Sequence, residues 1–364
     1  MTYRPTEALV DLDAIRHNVR LLKPPSSELM AVVKADGYGH GAVPVARAAV
    51  EAGATWLGVA LVEEGMTLRE AGIEAPILTL SEWPPGSERD ALAAGLTPTL
   101  YTERGLDALA SVGVAVRAHV KLDTGMHRVG LDPDKAEPFV RTAVERGIEL
   151  EGLWTHFATA DQPDDPSARG QLERFLSAAG DLARAGFRPR LRHAANSAAT
   201  MTMPEAHLDL VRVGIAMYGL RPSERVGAEG LRPAMSLRSR VSLVKRLPAG
   251  EAVSYGLRYR LEREATMATV PIGYADGYAR ALSNAGRVLI RGRRHPVAGT
   301  VTMDQILVDC GDHPVEPADE VVLFGRQGDE EVTADEVASW IGTIGYEVVC
   351  AVGARVPRRH LGDA

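Results

Sequence analysis

Lysine is scarce in this 364-residue chain: five (Lys23, Lys34, Lys121, Lys135 and Lys245) stand against 36 arginines. A chain that uses arginine almost everywhere keeps lysine where a compact amine with an adjustable pKa is needed. Cysteine is scarcer still, with only Cys310 and Cys350. Two residues cannot build a disulfide framework, and they read as small core residues of a cytoplasmic protein. No apolar run is long enough to span a bilayer, and the opening MTYRPTEALVDLDAI has no apolar signal core. Neither a membrane span nor export is therefore expected. Dense basic stripes are missing too. With a net charge of −7, there is no broad electrostatic reason to bind nucleic acid. Low-complexity segments are also missing. What remains, 45% apolar and 24% charged residues, is ordinary globular composition.

The stretch AVVKADGYGHG, Ala31 to Gly41, organises the reading of the rest. An apolar run, Leu29 to Val33, has the character of a buried parallel strand. It stops at Lys34, and a glycine-rich turn follows. A lysine at the end of a buried strand has its stem in the apolar layer, which disfavours the ammonium form. A neutral amine attacks an aldehyde and forms an imine. A strand-end lysine that merely reaches solvent is the alternative.

Seven more apolar runs follow, each trailed by a polar or glycine turn: Trp56–Ala60, Pro76–Leu80, Thr97–Tyr101, Val116–Leu122, Leu150–His156, Arg190–Ala195 and Leu210–Gly214. The clearest helix lies in Ala168 to Ala185, with Leu172, Phe175, Leu176, Ala179 and Leu182 on one face. A further helix is expected over Asp11–Leu22, capped by Asp11 or Asp13. Eight strand–helix units point to an α/β fold with an N-terminal (β/α)8 barrel over residues 1–233. An open doubly wound sheet is the runner-up. After Pro233 the texture becomes short strands between turns: Arg238–Leu247, Thr266–Ile272, Arg287–Arg291, His295–Val301, Gln305–Cys310 and Glu320–Phe324. A helix over about Ala334–Ile341 interrupts them, and Tyr346–Val352 closes the set. This is a mostly antiparallel β domain, residues 234–364; residues 1–8 are expected to pair with it.

In a barrel, reactive groups belong at the C-terminal strand ends. Lys34 and Tyr38 follow the first run; Lys121, Asp123 and Arg128 the fifth. His156 ends the sixth, Asn196 and Ser197 the seventh, and Arg212 and Gly214 lie at the eighth. Ser197 with the N–H groups of Gly214 and Ile215 suits a phosphate. Ser197 equally suits a helix cap, and Gly214 a plain tight turn.

AVVKADGYGHG, KLDTGMHRVG, THFATAD, HAANSAA, RVGIAMYGL, VSYGLRY, PIGYADGY and GTVTMDQ together resemble the signature stretches of the alanine racemases, from about Ala8 to Arg358 and in order. The resemblance implies pyridoxal 5'-phosphate as cofactor and no metal. Lys34 would carry it as an imine. Tyr38, Asn196, Ser197, Gly214, Ile215 and Tyr346 would surround its phosphate side, and Arg212, backed by His156, would face its ring nitrogen. It implies two bases for interconverting L-alanine and D-alanine, Lys34 and Tyr255, the latter with a lowered pKa. Arg128, Met303 and Tyr274 would meet substrate, and Lys121 would be carbamylated; a plain lysine paired with Asp123 is the alternative. Tyr255 and Met303 would come from the partner of a head-to-tail homodimer. D-alanine would supply peptidoglycan. Gly345 stands where the family often has asparagine, beside Tyr346. A serine/alanine racemase, a non-catalytic pyridoxal-phosphate carrier and a barrel decarboxylase are the competing readings. The β domain with Tyr255 and Met303 speaks against the carrier. Arg212, a partner that makes the cofactor a weak electron sink, speaks against the decarboxylase.

Overall fold

A computed structural model of the chain describes residues 4–362. They form two compact units. One comprises residues 15–37 and 42–232; the other takes in the chain up to Ala14, Tyr38–Gly41, and the chain from Pro233 onward.

The first unit is a ring of parallel strands: Glu28–Val32, Trp56–Val59, Ile77–Thr79, Leu96–Thr97 continued by Thr99–Leu100, Val116–Lys121, Ile148–Trp154, Leu191–His193 and Leu210–Val213. The ladders are all parallel. Two joints decide whether the ring closes. The fourth strand is interrupted at Pro98, which has no N–H to give, but its carbonyl accepts from His119 N at 2.9 Å. The last two strands are joined by Asp209 N to Arg192 O (3.1 Å) and Arg212 N to Ala195 O (3.0 Å). The ring is therefore a barrel and not an open sheet. Met30, Trp56, Leu78, Leu191 and Leu210, from five different strands or their ends, form a buried apolar cluster. Each such side chain contributes about 1.5–3 kcal/mol through burial. The helix Ser167–Arg184 buries Leu172, Phe175, Ala179 and Leu182, as its periodicity requires. Leu176 was expected on that face but is 40% exposed. It sits one residue past Phe175, where a 100° step takes it off the buried stripe.

The second unit is mostly antiparallel β structure. The expected single strand Arg238–Leu247 is two strands, Met235–Arg240 and Leu243–Leu247, which pair in different sheets. Glu7–Asp11 pairs antiparallel with the first of these and parallel with Arg358–Leu361. The helix expected from Asp11 starts at Leu12, and Asp11 Oδ1 accepts from Asp13 N and Ala14 N. The segment read as a closing strand, Tyr346–Val352, is instead a helix, Gly345–Cys350. Its valines favour a strand locally, but it packs against the helix Ala334–Ile341 across the left-handed Gly342, and tertiary contact overrides propensity. Cys310 is buried, whereas Cys350, on this helix, is exposed, contrary to the expectation that both lie in the core.

Candidate active site

The turn after Lys34 has an unusual hand. Ala35, Asp36, Gly37, Tyr38 and Gly39 all have positive φ, between 51° and 79°. A left-handed turn costs a non-glycine residue roughly 1–2 kcal/mol, so something must hold it. Gly37 N donates to Val33 O at 2.9 Å. Asp36 Oδ1 accepts from Ala42 N at 2.8 Å. Glu64 does most: one carboxylate oxygen accepts from Ala35 N (2.6 Å) and the other from Ala60 N and Leu61 N (2.8 and 3.1 Å). Sequence reasoning found the turn but neither its hand nor Glu64. The only trace of Glu64 in the sequence is an acid in the first turn of the helix Val62–Glu70.

Arg212 lies across the barrel mouth, 3% exposed. Nη2 donates to Thr155 O (2.8 Å) and Ala194 O (3.0 Å) and meets His156 Nδ1 at 3.2 Å; Nη1 meets His193 Nδ1 at 3.1 Å. The guanidinium sits 4.7 Å from the Trp154 ring centroid. None of these partners is a carboxylate. Burial lowers the Arg212 pKa to about 9, which leaves it charged at neutral pH. Lys121 Nζ lies 4.4 Å from the centroid of the same ring. Burial first, then Arg212, Arg128 and Lys34, push its amine down to about 7, against an opposing pull from Asp123. His156 is held well below the usual imidazole range, by burial first and then by Arg212, Lys121, Arg128 and Lys34. Lys121 and His156 thus each feel the charges of Lys34, Arg128 and Arg212. Asp123 is engaged otherwise: its Oδ1 accepts from Gly125 N, Met126 N and His127 N, each at 3.0 Å.

Asn196, not Ser197, caps the helix Ser197–Thr202, accepting from Ala199 N. That leaves the buried Ser197 hydroxyl to accept from Gly214 N at 2.9 Å and from Ala216 N at 3.4 Å. Ile215 opens the short 3-10 turn that follows. Its last residue, Tyr218, donates to Val32 O at 3.0 Å, two residues before Lys34. Ser197, Gly214 and Ile215 form one small polar corner. In the other unit the rings of Tyr38 and Tyr346 lie 6.3 Å apart, tilted. Burial, with a smaller contribution from Cys350, raises the Tyr38 pKa and keeps its hydroxyl a donor.

Three loops of the β unit interlock. Ser254 Oγ donates to Thr300 O, and Thr300 Oγ1 donates to Tyr255 O. Tyr274 N and Ala275 N donate to Thr302 O and Met303 O. A Cβ at Gly273 would lie 2.2 Å from Thr302 O, so only glycine permits this approach. The loops present Tyr255 (75% exposed), Leu257, Met303 and Tyr274 to the outside. Asp276 is buried under them, bound by Arg4 and accepting from Gly273 N.

Two family models cover most of the chain: the N-terminal domain of alanine racemase over residues 10–222 and its C-terminal domain over 234–360. The chain belongs to the alanine racemase family. It is 53% identical to the alanine racemase of Symbiobacterium thermophilum, over 99% of this chain and 98% of that protein. The crystal structure of alanine racemase from D-cycloserine-producing Streptomyces lavendulae superposes with a TM-score of 0.96 at 44% identity, covering 100% of this chain and 99% of that one. That of Bacillus anthracis, with bound L-Ala-P, gives 0.94 at 40%, covering 100% and 96%. Of the residues that the family resemblance singles out, the barrel unit brings together Lys34, Lys121, Arg128, His156 and Arg212, and separately Asn196, Ser197, Gly214 and Ile215. The β unit brings together Tyr255, Tyr274 and Met303, and pairs Tyr38 with Tyr346. Buried His193, which meets Arg212, and His119 beyond it were passed over in sequence; each reads locally as one more histidine in an apolar strand.

Proposed function

We propose that this chain interconverts L-alanine and D-alanine with pyridoxal 5'-phosphate, by a two-base mechanism. One observation carries the reading: at the mouth of a family barrel, a strand-end lysine shares its field with a buried arginine whose partners are all neutral. A cofactor with a ring nitrogen and a phosphate fits these residues. Arg212 has no carboxylate of its own, so it can offer a donor to a ring acceptor. Ser197, Gly214 and Ile215, with Asn196 beside them and Tyr38 and Tyr346 as hydroxyl donors, suit the phosphate end. When bound, the cofactor supplies an electron sink for the alanine Cα. Arg212 has no proton to release at neutral pH, so it keeps that sink modest and favours racemisation over side reactions. His156, neutral beside Arg212, steadies the guanidinium.

Racemisation takes a proton from one face of Cα and returns one to the other. Lys34 serves one face and Tyr255 the other. Arg128 presents a planar fork to the substrate carboxylate, and Met303 and Tyr274 bound the substrate. Lys121 is carbamylated. With its amine near pKa 7, a large share is neutral at physiological pH, the form that adds CO2. The product is an anion set among Arg212, Arg128 and Lys34, where an unmodified lysine is a fourth cation.

The functional division falls at residues 233/234, with half of the catalytic set on each side. We assign Tyr255 and Met303 to the partner's site in a head-to-tail homodimer. The support is the apolar patch of Tyr255, Leu257 (63% exposed), Met303 and Tyr274 on interlocked loops, which a monomer rarely leaves uncovered. The enzyme works in the cytoplasm, in keeping with a chain whose two cysteines cannot build a disulfide framework, and its D-alanine feeds peptidoglycan. Among the described residues, no helix is long and apolar enough to cross a membrane. The test is L-alanine in D2O with the purified protein and pyridoxal phosphate. Loss of optical rotation with deuterium at Cα is expected; neither occurring, or CO2 release instead, overturns the reading.

A further inference from the structure

Below Arg212, away from the mouth, the barrel interior holds a file of polar side chains that the proposed reaction does not use. Arg212 Nη1 reaches His193 Nδ1 at 3.1 Å. His193 Nε2 reaches His119 Nδ1 at 2.9 Å. His119 Nε2 has no hydrogen-bond partner among the described residues and lies 3.9 Å from Glu151 Oε2. Both imidazoles are fully buried, and Glu151 is 9% exposed. Arg190 closes the file, 3.5 Å from Glu151 Oε1, and pairs in turn with Glu28 at 2.8 Å.

The backbone is shaped for this file. Along the strand pair Val116–Lys121 and Ile148–Trp154, Ala118 faces Leu150 but His119 faces Gly152. Glu151 is the extra residue of a β-bulge, a device that re-aims a side chain. A Cβ at residue 152 would lie 2.3 Å from His119 Nδ1, so Gly152 makes room for the ring. Trp154 stacks on His193 at an interplanar angle of 7°.

Hydrogen-bond logic fixes the protons. Arginine only donates, so His193 Nδ1 accepts and its proton is on Nε2. That proton goes to His119 Nδ1, and the His119 proton is on Nε2, the ring nitrogen on the Glu151 side. Burial, Arg190 and Arg212 hold His119 down near 3, and burial with Arg212 holds His193 well below the ordinary range, so both rings are neutral. Two imidazole dipoles then point the same way between a cation and an anion, and such chains strengthen one another.

We propose that Glu151 is the remote counter-ion of Arg212, coupled to it through His193 and His119, and that these three are positioning residues for the guanidinium. A buried charge needs compensation. A carboxylate placed directly on Arg212 would occupy the donors that a ligand at the mouth needs; a relay compensates the charge and leaves them available. The column itself is independent of the racemase reading, whereas its effect on turnover rests on it.

The test is long-range 1H–15N correlation on the full-length protein labelled at histidine and arginine, with signals assigned through His119→Gln and His193→Gln. Both rings are expected to be neutral with the proton on Nε2 from pH 6 to 9. Glu151→Gln is expected to shift the signals of His119, His193 and the Arg212 guanidinium together. A proton on Nδ1 of either ring, or a shift confined to His119, overturns the proposal. If Glu151→Gln fails to fold, Glu151→Asp gives the same readout with smaller shifts. If the racemase reading holds, Glu151→Gln lowers kcat about threefold to tenfold with KM unchanged, and Glu151→Asp restores part of it. Absence of racemisation in the parent protein would sink that reading while leaving the resonance test intact.

Discussion

The barrel unit buries four polar side chains at and below its mouth, whereas the β unit exposes Tyr255 and Met303. Arg212, Lys121, His193 and His119 are all at most 4% exposed, whereas Tyr255 is 75% exposed and Met303 52%. The difference teaches how each set of side chains is tuned. In the barrel, burial lowers the pKa of Lys121 and His156 within one unit, so these groups are tuned by the fold of their own chain. In the β unit the phenol of Tyr255 is exposed and its loop is held by Thr300; under the proposed two-base scheme a partner's surface completes its environment.

The sharpest way to break this contrast is Tyr255→Phe. Under the two-base scheme it removes one proton carrier and lowers racemisation by about 10²–10⁴-fold, while cofactor absorbance in the purified protein is retained. Full racemisation in that variant would mean that the exposed half contributes no base. Next comes Lys121→Ala. If Lys121 is carbamylated, loss of that anion is expected to cost roughly 10- to 100-fold in kcat, with partial rescue by acetate; no rescue would argue against a carbamate.

Lys121 also offers a stability test. Its folded pKa is lowered to about 7 from 10.5, so the native state binds fewer protons than the unfolded state between those values, and stability rises with pH across that window. Lys121→Met should therefore gain most over the unmodified parent below pH 7, the gain fading toward pH 10.5, as read by denaturant titration. A gain independent of pH would show that burial does not set this amine.

On the β side, Leu257→Asp should weaken self-association by roughly 30-fold, as followed by sedimentation. An unchanged assembly would remove the patch from the interface. The smallest effect is expected from Asn196→Ala, which loses one helix cap at about 1 kcal/mol. It should leave the β unit's own cap, Thr333 on Glu336 N, undisturbed.

Much of the barrel was legible because parallel strands buried on both faces write themselves as apolar runs. All eight runs became strand positions, and Lys34, Arg212 and His156 stood at their ends. The β unit was harder. Arg238–Leu247 reads as one strand because nothing local marks the change of sheet after Arg240, and Tyr346–Val352 carries strand-like valines in a segment that packing makes helical. Of the site, the strand-end residues were legible, but Glu64 and the column of His193, His119 and Glu151 were not. Their partners lie far away in the chain: 29 residues separate Ala35 from Glu64, and 74 separate His119 from His193.

The sequence by itself determined the barrel's strand count and the family, since these depend on local pattern and residue type. Only the tertiary structure decided the left hand of the turn at Lys34, the cap at Asn196 instead of Ser197, and the neutrality of the buried histidines. Each of those depends on backbone torsion or burial, and both are set by groups brought together from distant points in the chain.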